Sequence, residues 1–194
     1  MMLRRLACSI ALLLPLSAGA GPDTGEPLLL VAQPDLQSEI FGSSILFVKP
    51  LPDGGHIGFI LNRATNARMG DLFPDDEASK KVADPLNLGG PDSYNRIFAL
   101  VGKSDKDMKD ALPMMPGLFL VADAGDIDHI IASDPEHARF FLGIVTWEPG
   151  QLDSELDRGL WYVDKADAKL VLEKKTDGLW EELVRRSEAK AHTI

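Results

Sequence analysis

An α+β fold in one domain is what this sequence predicts, and three observations predict it. Eight short apolar runs of strand length are spread along the chain, whereas helical periodicity is confined to two clear segments and a shorter third. The strands are not each followed by a helix, so the regular alternation of a βαβ array is missing. A length of 194 residues, 45% of them hydrophobic and 26% charged, suffices for one sizeable core, and no internal repeat or low-complexity tract divides it.

The chain opens with MMLRRLACSIALLLPLSAGA over residues 1–20. Arg4 and Arg5 form a positive stretch, residues 6–16 an uncharged apolar run, and Ala18-Gly19-Ala20 a small-residue cleavage site, which is the order of a signal peptide. The run is shorter than the roughly 20 residues that a membrane span needs. The expectation is a mature chain starting near Gly21, periplasmic or secreted, with no transmembrane span. A cytoplasmic chain with a buried N-terminal helix is the alternative. Residues 21–27 (GPDTGEP) read as a flexible leader, residues 28–188 as the folded domain and residues 189–194 as a tail.

Within the domain, residues 28–32 (LLLVA) form the first strand candidate. Residues 43–49 (SSILFVK) and 56–62 (HIGFILN) flank the turn-forming PLPDGG of residues 50–55, which predicts a β-hairpin. Further strands are expected at residues 95–101 (NRIFALV), 117–122 (GLFLVA) and 139–147 (RFFLGIVTW), with short ones at 160–163 and 168–172. A helix is expected within residues 148–159, where Leu152 and Leu156 share a face, Asp153 and Glu155 lie near its positive end, and Gly159 can stop it. A second helix is expected over residues 176–188, with Leu179/Leu183 and Trp180/Val184 on one side, and a shorter one at residues 126–132.

Charge and residue usage then exclude function classes. The full chain carries −10; without Arg4 and Arg5 the mature chain has 18 basic and 30 acidic residues, a net of −12. No basic cluster offsets this, so nucleic acid is not an expected partner. Removal of Cys8 with the leader leaves no disulfide, thiolate nucleophile or cysteine metal site. No nucleophile elbow, phosphate loop or dinucleotide fingerprint is present, and no cofactor is expected. His129 and His137 lie among Asp123, Asp126, Asp128, Asp134 and Glu136, but their spacing fits no metal motif and a solvated helix face is the better reading. Leu88-Gly89-Gly90-Pro91 reads as a tight turn with positive φ rather than a phosphate cradle.

Several strings then combine. Leu30-Val31-Ala32-Gln33-Pro34 is followed by Gly58-Phe59-Ile60-Leu61-Asn62-Arg63, by Gly89-Gly90-Pro91, and by Trp147-Glu148-Pro149-Gly150-Gln151-Leu152-Asp153-Ser154-Glu155-Leu156. In order and content they resemble the YqgE/AlgH family of bacterial proteins, over about residues 28–185. The tryptophan-to-glutamate block is the specific part. The chain departs from the family pattern at Ala64 (usually Pro), Thr146 (usually Gly), Asp153 (usually Glu) and in its signal-like leader.

The resemblance implies a mixed, mostly antiparallel sheet curled into a pseudo-barrel with helices packed outside. It implies little function, the family being uncharacterised and its description as a transcriptional regulator having no DNA-binding motif behind it. The expected role is a non-enzymatic binding or regulatory module with an unknown protein or small-molecule partner. A hydrolase with a site near Arg63 and Glu155 is the alternative, and a transcriptional regulator the third. The candidate residues are Asn62, Arg63, Gly89, Gly90, Pro91, Trp147, Pro149, Gly150, Gln151 and Glu155. Arg63 would hold an acidic ligand through a bidentate fork, Trp147 would cover an apolar one, and Gln151 and Glu155 project from one helical face. The structural alternative, which is preferred, pairs Arg63 with Glu155, gives Asn62 to turn hydrogen bonds, and uses Trp147 and Gln151 to fix the corner at Pro149-Gly150.

Overall fold

The computed structural model describes residues 25–102 and 110–192. The expected leader peptide at residues 1–20 and most of the segment that follows lie outside the described residues. Strands β1 (Leu28–Ala32), β2 (Ile45–Pro50), β3 (His56–Ile60), β4 (Asn87–Leu88), β5 (Asp92–Val101), β6 (Leu112–Met115), β7 (Leu118–Val121), β8 (Ala138–Trp147) and β9 (Trp161–Lys165) form one sheet. Its order is β6-β7-β5-β8-β3-β2-β1-β9, antiparallel throughout, and the two-residue β4 joins β8 in parallel. The sheet is mixed, mostly antiparallel and curled into a half-barrel.

Among the described residues five α-helices accompany it: α1 (Met69–Leu72), α2 (Ala124–Ser133), α3 (Gln151–Asp157), α4 (Ala168–Leu172) and α5 (Leu179–Ala191). The expected hairpin is β2–β3, in register from Leu46↔Ile60 to Pro50↔His56. The helix at residues 168–172 corrects the expected strand. Asp167 accepts a hydrogen bond from the Leu170 amide at 2.9 Å, capping a helix that a five-residue, mostly apolar run alone does not distinguish from a strand. Helix α5 extends to Ala191, so the first three residues of the expected tail are helical. Strand β6 was concealed by Pro113, which a sheet tolerates at an edge.

Alternation along the strands sorts side chains into layers. Leu29, Val31, Ile45, Phe47, Phe59, Phe98, Leu100 and Phe141 form the inner core, closed by Val171 of α4 and by Leu183 and Val184 of α5. On the opposite face Ala99, Val101, Ala138 and Phe140 pack with α2 through Ile127, Ile130 and Ile131. Leu30, Leu46, Val48, Ile60, Val145 and Trp147 pack with α3 through Leu152. Among the described residues no helix is long and apolar enough to cross a membrane.

Strand β8 changes phase halfway. Phe141 and Ile144 both face the inner core, while Phe140, Val145 and Trp147 lie on the outer side. The odd–even pattern therefore flips at Gly143, whose φ is +71°, where two residues of β8 span the register from Asp92 to Ile97 of β5. Gly89 and Gly90 correct the expectation of positive φ: neither adopts it. Their role is close approach, since a Cβ on Gly89 would strike the Gly143 carbonyl oxygen and one on Gly90 the Ile144 carbonyl oxygen.

Candidate functional site

Strand β8 ends at Trp147 and the chain turns through Glu148-Pro149-Gly150 into α3. Gly150 has φ +78°, and the Gln151 Oε1 accepts a hydrogen bond from the Glu148 amide at 3.1 Å, which closes the corner. Trp147 packs against α3 on the outer side of the sheet and is 4% exposed. One turn into α3, the half-buried Glu155 directs its carboxylate back toward the strand. A single oxygen, Oε2, accepts from the indole N–H of Trp147 at 3.2 Å and from that of Trp161 at 2.9 Å. Trp161 opens β9 and meets the corner only because β9 pairs with β1.

A cleft of about 320 Å³ opens over this arrangement. Leu36, Phe41, Val145, Trp147, Leu160 and Trp161 supply apolar walls, and Phe41 packs edge-on against Trp161 with ring centroids 6.2 Å apart. The polar groups are Ser38, Asp92, Thr146, Gln151 and Glu155. Asp92 Oδ2 accepts from the Thr146 amide at 2.9 Å and from its hydroxyl at 2.7 Å, so Thr146 holds that carboxylate at the rim. The lining contains two carboxylates and no Lys, Arg or His.

The structure brings Pro91, Trp147, Gln151 and Glu155 into this cleft and leaves Arg63 outside it. Arg63 and Glu155 do not form the expected ion pair: Arg63 Nη2 donates to the Gly42 carbonyl at 2.5 Å, and Glu155 is held by the two indoles. Asn62 makes turn hydrogen bonds, its Oδ1 accepting from the Ile45 amide and its Nδ2 donating to the Ser43 carbonyl, both at 2.9 Å. Asn62 and Arg63 thus secure the end of the loop from Gln33 to Ser44, and the same loop carries Leu36, Ser38 and Phe41 to the cleft. They shape the wall and do not line it. Gly89 and Gly90 act further back, allowing the backbone before Pro91 to lie against β8.

Sequence reasoning missed Phe41, Asp92 and Trp161 as members of the site. Each arrives through a long-range strand pairing or loop that no local pattern announces. The acidic segment after Ala122 is consumed structurally: Asp123 caps α2 by accepting from the Asp126 amide, and Asp134 bonds His137 at 2.6 Å. Among the described residues no three His, Cys, Asp or Glu side chains converge as a metal set would.

With this geometry in view, comparison with known proteins locates the chain. The AlgH-like family model matches residues 29–192. A UPF0301 protein from Chlorobaculum parvum is 30% identical over 160 residues, covering 81% of this chain and 83% of that protein. Another from Methylococcus capsulatus is 31% identical over 168 residues, covering 81% and 88%. Two solved structures share the fold: protein DIP2367 from Corynebacterium diphtheriae (TM-score 0.68, 22% identity, 83% and 86% covered) and the AlgH protein from Pseudomonas aeruginosa (TM-score 0.68, 21% identity, 83% and 87% covered). The half-barrel, the tryptophan-to-glutamate corner and the extent of these matches establish that the chain belongs to the AlgH-like family.

Proposed function

We propose that this protein is a non-enzymatic binding module whose corner cleft receives a positively charged, partly apolar group, either an alkylammonium ligand or a basic side chain of a partner protein. The observation that carries the reading is the Glu155 carboxylate, fixed by two indole N–H groups against apolar walls and, among the described residues, without a cationic partner in the cleft. A cation entering there gains a charge-assisted hydrogen bond in a partly desolvated setting, where such bonds are strongest. Asp92 at the rim adds a second negative charge, and the overall charge of −10 attracts the same class of ligand from a distance. Apolar walls with a few placed polar groups are the usual build of a small-ligand site. The separation of Arg63 from the cleft removes the geometric basis for a hydrolase joining Arg63 to Glu155.

Two of the chain's three tryptophans line the cleft, so binding is readable by fluorescence. Titration with hexylammonium or a short lysine-rich peptide should give a saturable change, and Glu155→Gln should weaken binding by tenfold or more, a loss of about 1.4 kcal/mol or greater. An undiminished response in that variant, or equal binding of hexanoate, would overturn the reading. We propose further that the chain acts outside the cytoplasm, the support being the order of charge, apolar run and small-residue site in its first 20 residues. The intact mass of the native protein from fractionated cells tests this: a chain starting near Gly21 in the periplasmic fraction is expected, and a full-length cytosolic chain would refute export.

A further inference from the structure

The other end of β8 holds a charge that the cleft does not use. Arg139 is 2% exposed, one of three buried polar residues among those described. Its Nη1 donates to the Val171 carbonyl at 2.9 Å, and its Nη2 to the Leu61 carbonyl at 2.6 Å and to Asn87 Oδ1 at 3.1 Å. The guanidinium carbon lies 5.1 Å from the centre of the Phe141 ring. All of these partners are neutral. Among the described residues no carboxylate lies within ion-pair distance of the guanidinium, and its Nε–H is buried without an acceptor. A buried cation in this state is costly, because neutral dipoles replace only part of its hydration.

Arg139 lines a cavity of about 60 Å³, separate from the corner cleft and sharing none of its lining residues. A single water needs roughly 10–15 Å³ of such space, so the cavity has room for a molecule of a few heavy atoms. Its polar lining residues are Arg139, Asn87, Lys174 and Asp84, and its apolar ones are Ala64, Val82, Pro85 and Phe140. Lys174 Nζ bonds Asp84 at 2.7 Å, and the lysine side chain is 31% exposed, at the boundary with solvent. The charged lining groups sum to one uncompensated positive charge, that of Arg139. Burial draws the Arg139 pKa down to about 10, against the opposing fields of Glu173 and Asp84, so the guanidinium remains charged at neutral pH.

We propose that this cavity is a binding site for a short-chain monocarboxylate of acetate or propionate size, with the carboxylate on Arg139 and Lys174 and the alkyl end against the apolar wall. One negative charge matches the one uncompensated positive charge. A carboxylate is also the planar acceptor that a guanidinium recognises best. The apolar portion of the lining favours a ligand with a methyl or ethyl group over a fully polar oxyanion. One feature distinguishes the site from a purely structural role for Arg139: the second cation, Lys174, at the mouth.

The test is a titration of the purified chain, followed by backbone and side-chain amide NMR, with sodium acetate, propionate, hexanoate, phosphate and chloride in separate arms. Acetate and propionate should give saturable shifts at the Asn87 side-chain amide and the Arg139 Nε–H, with a millimolar dissociation constant. Hexanoate should be excluded by size. Lys174→Met, at a partly exposed position that leaves the core intact, should weaken propionate binding about tenfold, or about 1.4 kcal/mol. No saturable shift by about 50 mM, some fifty times a millimolar dissociation constant, would overturn the proposal. So would shifts that chloride reproduces, phosphate binding as tightly as propionate, or unchanged binding in Lys174→Met.

Discussion

The two ends of β8 solve opposite problems by the same means. Near its start Arg139 buries a positive charge and surrounds it with the oxygen atoms of Leu61, Val171 and Asn87. Beyond its last residue, Trp147, Glu155 brings a negative charge against the strand and gives it the N–H groups of two indoles. Among the described residues neither charge is met by its opposite within ion-pair distance. The difference lies in depth. Arg139 is deeply buried, whereas Glu155 is half-buried at the wall of an open cleft. A charge held by neutral dipoles keeps most of its capacity to attract a ligand, and the open end is where that capacity is most accessible.

The phase change at Gly143 is what separates the two ends, so breaking it should cost most. Gly143→Ala must hold a side chain at φ +71° and push against the carbonyls of Gly90 and Asp92. Left-handed strain and overpacking together predict a loss of about 4 kcal/mol in urea unfolding. A loss under 1 kcal/mol would show that β8 can realign without the bulge. Next is Arg139→Met, which keeps the volume but leaves the Leu61 and Val171 carbonyls without their donor. Removal of a charged donor from two buried acceptors predicts about 3 kcal/mol of destabilisation. Glu155→Ala, at the open end, strands two indole N–H groups and should cost about 2 kcal/mol, with Glu155→Gln costing about half because its carbonyl oxygen can still accept. A larger loss for Glu155→Ala than for Arg139→Met would reverse the ranking of the two ends.

The open end was far more legible in the sequence than the buried one. Trp147, Gln151 and Glu155 lie within nine residues, and helical spacing alone places the last two on one face. Phe41 and Trp161 were invisible as partners because they reach the cleft through the β1–β9 pairing and a loop tied down by Asn62 and Arg63. Arg139 reads in sequence as the polar first residue of a strand. Its burial follows from β4, a two-residue strand too short to announce itself, and from α4, whose mostly apolar run resembles a strand until Asp167 is seen as a cap. Local pattern predicted the elements whose side chains interact within one or two turns. It failed where a short element gains its structure from what it packs against.

A pH measurement gives the smallest effect and the finest distinction between the two ends. His56 pairs with Trp147 across β3 and β8, and its Nδ1 is buried without a partner. Partial burial lowers its pKa below the ordinary 6.5, against the weaker attraction of Asp153. The folded state thus binds a proton less readily than the unfolded chain. As pH falls below 6.5 the unfolded chain protonates first, and stability declines through the window between the two values. His137 acts in the opposite sense: its bond to Asp134 raises its pKa, so its contribution is complete below 6.5 and fades as pH rises through the folded value. His56→Asn should therefore flatten the stability profile on the acidic side of 6.5, while His137→Asn should flatten it on the alkaline side. The cleft end carries the acid-sensitive histidine, so ammonium binding measured from pH 7 down to 5.5 should weaken in parallel with the wild-type loss of stability and hold steadier in His56→Asn. Equal weakening in both proteins would detach the histidine from the cleft.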